Sequence, residues 1–225
     1  MAKVQYDYVE RIRQMLRDDA KILDAGNFEI RDHLAQAVKT YQKHKPYEKL
    51  WELTGNGSSS YSLPADWKER YSEILQVEYP VYTSGLPNYL KGTDWGIIRD
   101  STGYKLRFYF ISIPSGQKAN VTYSTFHVLN DTQSTIYEDD FDALCSLTAA
   151  LACGTLAQYY AQTSKPSLNV DVSDYEDKGR IYSERAEIFM KAYQDHIATW
   201  GCEFPEMDFE GVFYREPIFH SSDRR

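Results

Sequence analysis

Glu138, Asp139, Asp140 and Asp142 place four carboxylates within five residues. Clustered carboxylates are what a hard divalent cation requires of its ligands, and paired ones can divide acid and base work. Consecutive acids at a helix start, however, fan out around the axis, where they more often serve as caps and face the positive end of the dipole. His127 and Cys145 offer a second arrangement, a base and a thiol nucleophile. Cys145 and Cys153 lie eight residues apart in an apolar stretch, the setting of packing residues rather than of reactive thiols. The chain contains no H-E-x-x-H, no paired C-x-x-C, no Walker loop, no G-x-G-x-x-G and no G-x-S-x-G. These patterns ordinarily mark metal, phosphate and nucleophile sites. The expectation is a protein that is not an enzyme, with no catalytic residues, no metal and no cofactor.

The more informative residues are aromatic. Aromatics make up 15% of the chain, with 19 tyrosines among them. Tyrosine suits a surface that is dry on one side and wet on the other, as at protein interfaces. After Gly201 the text holds Phe204, Phe209, Phe213, Tyr214 and Phe219 among acids and prolines at no fixed period. Such a tail either wraps its own domain or docks as an extended segment whose aromatics are anchors, and the docking reading is favoured.

Helical spacing governs both ends of the chain. Val4, Tyr8, Ile12 and Leu16 predict an amphipathic helix over about residues 4 to 20. Ile30, Leu34, Val38 and Tyr41 predict a second, ending at His44-Lys45 before Pro46. Helical period returns at Tyr137 and runs to about Gln162; a further helix over Asp174 to Trp200 carries a stripe of Ile181, Ala186, Phe189, Tyr193 and Ile197. Between these lie short β-rich runs. Lys49 to Thr54, the Gly55-Asn-Gly-Ser turn and Ser59 to Leu63 read as a hairpin. Tyr104, Leu106, Phe108 and Phe110 alternate with Lys105 and Arg107 as in a half-buried strand, and Pro114-Ser-Gly-Gln-Lys predicts a second hairpin into Val121 to Ser124. The expected class is α+β: a helical bundle over 1–45 and 138–200, an antiparallel β-rich insertion over 46–137 and an extended tail over 201–225.

Composition narrows the function classes. The 225 residues are 42% hydrophobic, which fits a globular protein and not disorder or collagen. The net charge is −8, the wrong sign for a protein that gains affinity by neutralising phosphates. Residues 138–200 carry 5 basic and 11 acidic side chains, so the acidity lies in the C-terminal half. Three cysteines form no disulfide framework, and the charged start is not a secretory signal. Ala143 to Ser164 runs 22 residues without a charge, long enough to span a membrane. Its serine, threonines, glutamines and tyrosines, and the acids before it, predict a buried core helix instead.

The order of these elements resembles the head-to-tail connector proteins of tailed bacteriophages, the adaptor or head-completion proteins beneath the portal. The likeness is carried by Ala37-Val-Lys-Thr-Tyr-Gln-Lys-His-Lys-Pro46, Tyr61-Ser-Leu-Pro-Ala-Asp-Trp67 and Ile74-Leu-Gln-Val-Glu-Tyr-Pro80. Leu106-Arg-Phe leading to Val121-Thr-Tyr123, Asp142-Ala-Leu with Leu147-Thr-Ala-Ala-Leu-Ala-Cys, and Tyr182-Ser-Glu-Arg-Ala-Glu complete it. It covers most of residues 27–195 and rests on order and spacing.

The resemblance implies a ring, usually of about twelve copies, between the portal and the stopper or tail tube. It implies a virion protein of the neck, made in the host cytoplasm, with no membrane partner and with DNA passing through the channel without specific binding. In this family the C-terminal segment commonly holds the ring to the portal, which would give that contact to Phe204, Phe209, Phe213, Tyr214 and Phe219. Two alternatives stand beside it: a tail terminator, stopper or gatekeeper, and a small enzyme using the carboxylates at Glu138, Asp139 and Asp140.

Overall fold

The protein is described here by a computed structural model that covers residues 3–17, 23, 28–82, 86–101, 103–163 and 172–200. Among the described residues four helices are joined to two antiparallel sheets, a mixed α+β arrangement. The helices are α1 (Gln5–Leu16), α2 (Phe28–His44), α3 (Phe141–Thr163) and α4 (Val172–Ala198). The strands are β1 (Tyr47–Thr54), β2 (Ser60–Ser62), β3 (Ile74–Glu78), β4 (Trp95–Asp100), β5 (Gly103–Phe108) and β6 (Lys118–Thr125). A 3-10 turn over Glu138–Asp140 leads into α3.

Local chemistry sets the helix ends. At the start of α1 the Asp7 carboxylate accepts the Val4 N–H at 2.9 Å, satisfying one of the orphan donors of the first turn. The helix stops where Arg17 enters the left-handed region at φ 48° and donates its N–H to the Arg13 carbonyl. Its buried face, Tyr8, Val9, Ile12 and Leu16, meets Ile30, Leu34, Ala37 and Tyr41 of α2 and most of α3 in one core. Each fully buried Leu or Ile there contributes about 1.5–3 kcal/mol relative to exposure.

The uncharged helix lies inside this bundle. Its most apolar window is 67% buried by the rest of the fold. Its buried serine and threonine hydroxyls are satisfied within the helix, for Thr148 Oγ1 donates to the Leu144 carbonyl and Ser146 Oγ to the Asp142 carbonyl, both at 2.8 Å. Self-bonded hydroxyls let polar residues sit in a dry core without the penalty of an unmade bond. On α4 the buried stripe is Tyr182, Ala186, Tyr193 and Ile197, with Phe189 packed at its edge. Ile181, expected in that stripe, is exposed; Tyr182 takes the place instead and stacks on Tyr160 at 5.5 Å.

The strands build a second core from Leu53, Tyr61, Val77, Leu106, Phe108, Ile113, Ala119 and Val121. One sheet has the order β1-β6-β3 and the other β2-β5-β4. Neither expected hairpin forms. β1 pairs with β6, from Tyr47 opposite Thr125 to Thr54 opposite Lys118, while β2 pairs with β5. The hairpin present is β4–β5, Trp95 opposite Phe108 through Asp100 opposite Gly103. Both turns read as hairpin loops are crossings from one sheet to the other, and they lie side by side. Gly55 N–H donates to Gln117 O at 2.7 Å, Gly116 N–H to Gly55 O at 3.1 Å and Gly57 N–H to Ile113 O at 2.9 Å. A Cβ on Gly55 would run into the Pro114 carbonyl oxygen, so glycine is required by this close approach rather than by a tight turn. In β5 Leu106 and Phe108 face the core as the alternation predicts, but Phe110 lies past the strand end and is exposed.

Candidate functional site

The acidic run before α3 does not converge on a shared point. Asp140 turns inward and is 1% exposed, whereas Glu138, Asp139 and Asp142 stay at the surface. Both Asp140 oxygens are engaged. Oδ2 accepts the Tyr41 hydroxyl at 2.6 Å and the Lys45 ammonium at 2.7 Å, and Oδ1 lies 2.8 Å from His196 Nε2. Burial pushes the Asp140 carboxyl upward, but hydrogen bonds from His196, Lys45 and Tyr41 outweigh it and hold the group below the usual carboxylate range. The Lys45 ammonium also lies 4.4 Å from the centre of each of the Tyr137 and Trp200 rings. This cluster ties the end of α2, the start of α3 and the end of α4 together. It is a lock, and the capping role expected of Asp140 gives way to it.

His127 is likewise committed. Its Nε2 lies 2.8 Å from the Lys45 carbonyl, so that nitrogen carries the proton, and Nδ1 lies 3.1 Å from the Thr135 hydroxyl. Desolvation lowers its pKa, keeping the ring neutral. Burial also pushes the Cys145 thiol up to about 12 and Cys153 up to about 11. Thiols so protonated and enclosed are poor nucleophiles. Among the described residues no group of three or more His, Cys, Asp or Glu side chains is placed to hold a metal ion.

A groove of about 510 Å³ opens between α2 and the segments that leave the β region. Leu34, Ala35 and Val38 form one wall, and Tyr71, Phe126 and Leu129 the other, with Lys39 and Lys43 along the rim. The second wall is fixed to the first, because the Tyr71 hydroxyl donates to the Gln42 carbonyl at 2.6 Å and its ring packs on Phe126 at 4.4 Å. His127 closes one end and packs on Tyr41 at 5.0 Å.

Two further surfaces carry exposed apolar side chains. On the β side Leu86 and Phe110 are 89% and 79% exposed, with Tyr82, Tyr89 and Tyr109 also open to solvent. On α4 Ile181 and Ile188, two helical turns apart, share an outward face. The tail residues Phe204, Phe209, Phe213, Tyr214 and Phe219 lie outside the described residues.

Sequence reasoning missed Tyr41, Lys45 and His196 as partners of Asp140, and it missed the groove. Periodicity assigns residues to faces, but these sites join residues about 50 to 100 positions apart through the tertiary fold.

No family model matches the chain, and no curated protein matches it. A solved structure described as the virion of a native gene transfer agent particle is similar at 15% identity. The match covers 79% of this chain and 92% of that one, with a TM-score of 0.30. A superposition that loose establishes neither a shared fold nor a shared role.

Proposed function

We propose that this chain is a structural virion protein, a head-to-tail connector that forms a ring beneath a phage portal and extends the DNA channel. The observation that carries this reading is the exposure of large apolar side chains on two different parts of one subunit. Leu86, Tyr89 and Phe110 are exposed on the β side, and Ile181 and Ile188 on one face of α4. Where such side chains gather into a patch, they mark a place for a partner. Closing a ring requires a heterologous interface, in which two different patches of neighbouring copies meet. The order of sequence motifs over residues 27–195 supports the same reading.

In this role the protein performs no chemistry and needs no cofactor. A ring of about twelve copies multiplies the chain charge of −8, and acids facing the lumen would repel DNA phosphates and let the genome slide. The tail would attach the ring to the portal, with its anchors among Phe204, Phe209, Phe213, Tyr214 and Phe219. The finished protein would sit in the virion neck, between portal and stopper or tail tube, after synthesis in the host cytoplasm. The second reading is a tail terminator, stopper or gatekeeper, which would form the same kind of ring but bind the tail. Light scattering of the purified protein, alone and mixed with a candidate portal or tail tube, separates the two. A large complex with the portal supports the connector, and one with the tube alone supports the terminator.

A further inference from the structure

We propose that the lysine-rimmed groove beside α2 is the seat of the acidic segment Glu203–Glu210 of the same chain, folded back across it. The groove is apolar along both walls, and among the described residues no carboxylate lines it. Lys39 and Lys43, one helical turn apart, are exposed along one edge, and neither makes an ion pair among the described residues. An occupant matching that pattern has apolar side chains for the floor and negative charge for the rim. The stretch Glu203-Phe-Pro-Glu-Met-Asp-Phe-Glu210 supplies both: Phe204, Met207 and Phe209 alternate with four acids, and it contains no basic residue. Pro205 has a fixed φ, which leaves its segment less backbone entropy to lose on docking.

Reach points to the same copy. Trp200, the last described residue, packs on Tyr41 with ring centres 6.1 Å apart, and Tyr41 packs on His127 at the groove end at 5.0 Å. An extended chain covers roughly 3.4 Å per residue, so the four residues from Trp200 to Phe204 span a length comparable with the straight-line separation of Trp200 and the groove end. The lock at Asp140 fixes where that path begins, because Trp200 lies over the Lys45 ammonium that Asp140 holds. The tail anchors then divide by position. Phe204 and Phe209 seat the segment on its own subunit, and Phe213, Tyr214 and Phe219 are presented beyond it to a partner.

The seat of Glu203–Glu210 is a property of the isolated chain, and only the assignment of Phe213, Tyr214 and Phe219 to a partner rests on the connector reading. Its test is photocrosslinking of the full-length protein with p-benzoylphenylalanine at position 204, using an equal mixture of isotope-labelled and unlabelled chains. Crosslinks to α2 residues 34–43, or to Tyr71 and 126–129, within chains of one label are expected. Reversing the rim with K39E and K43E together should lower their yield roughly tenfold. Adding E206K and D208K to that background should restore it, which also shows that the reversed protein is folded. Crosslinks between labelled and unlabelled chains would overturn the proposal in favour of a second copy as occupant. Crosslinks elsewhere, or a yield indifferent to the rim charges, would overturn it outright.

Discussion

The Lys45 ammonium rests 2.7 Å from the Asp140 carboxylate, which is almost entirely buried. The pair joins the last turn of the second helix to the entry of the third across 95 residues of chain. Two aromatic rings flank the ammonium, and Tyr41 and His196 complete the carboxylate's shell. A buried charge so surrounded is expensive to break, because removing one partner strands the others.

Asp140→Asn should therefore destabilise the protein by about 3 kcal/mol. For a chain of this size that is a fall in Tm of roughly 6–12 °C, read by circular dichroism or calorimetry. Asp142→Asn, two residues on and exposed, should leave stability within about 0.5 kcal/mol of wild type. Equal effects at the two positions would remove the distinction between lock and surface acid.

Acid should act in two steps. Burial lowers the pKa of His127, and likewise of His33 and His44, so the fold favours their neutral forms. Their contribution is present above the unfolded value of about 6.5 and is lost as pH falls toward the folded values. Asp140 is held low by its donors, so its contribution is present above about pH 4 and is lost below that. Thermal scans from pH 7 to 3 should show Tm falling in both ranges. His127→Gln should flatten the upper step and Asp140→Asn the lower. A Tm that stays constant from pH 7 to 5 would refute the histidine part.

The glycines give a paired test. Gly55→Ala drives a Cβ into the Pro114 carbonyl oxygen, which is backbone and cannot swing away. It should cost about 1–3 kcal/mol. Gly154→Ala, inside α3 with nothing within 4 Å of the new methyl, should gain up to about 1 kcal/mol from helix propensity. Urea unfolding of the two variants reads both, with opposite shifts of midpoint expected.

Cys145 and Cys153 are fully enclosed in the helical core. Neither should be alkylated by iodoacetamide at pH 8 in the native protein, and both should react in guanidinium, as judged by peptide mass mapping. Native labelling at either would mean that the bundle opens far more readily than its packing implies.

The helices were legible because their buried residues recur at helical spacing, as Ile30, Leu34, Ala37 and Tyr41 do. The strands were legible too, but their partners were not. Alternation in Tyr104 to Phe108 reveals a strand and its inner face, yet it carries no information about which edge pairs with it. The Gly55-Asn-Gly-Ser turn looks like a hairpin loop because a sheet-to-sheet crossing needs the same small, hydrogen-bonding residues. Asp140 was indistinguishable from its neighbours in the acidic run; only the approach of Tyr41, Lys45 and His196 from other helices sets it apart.

The central proposal, that this chain forms a portal-bound ring, is tested most directly by electron microscopy of the protein mixed with a candidate portal. The comparison is between the full chain and one stopped at Trp200. The account predicts closed rings seated on the portal by the full chain, and their loss with the truncation. Full-length protein that remains monomeric in the presence of both portal and tail tube would contradict it.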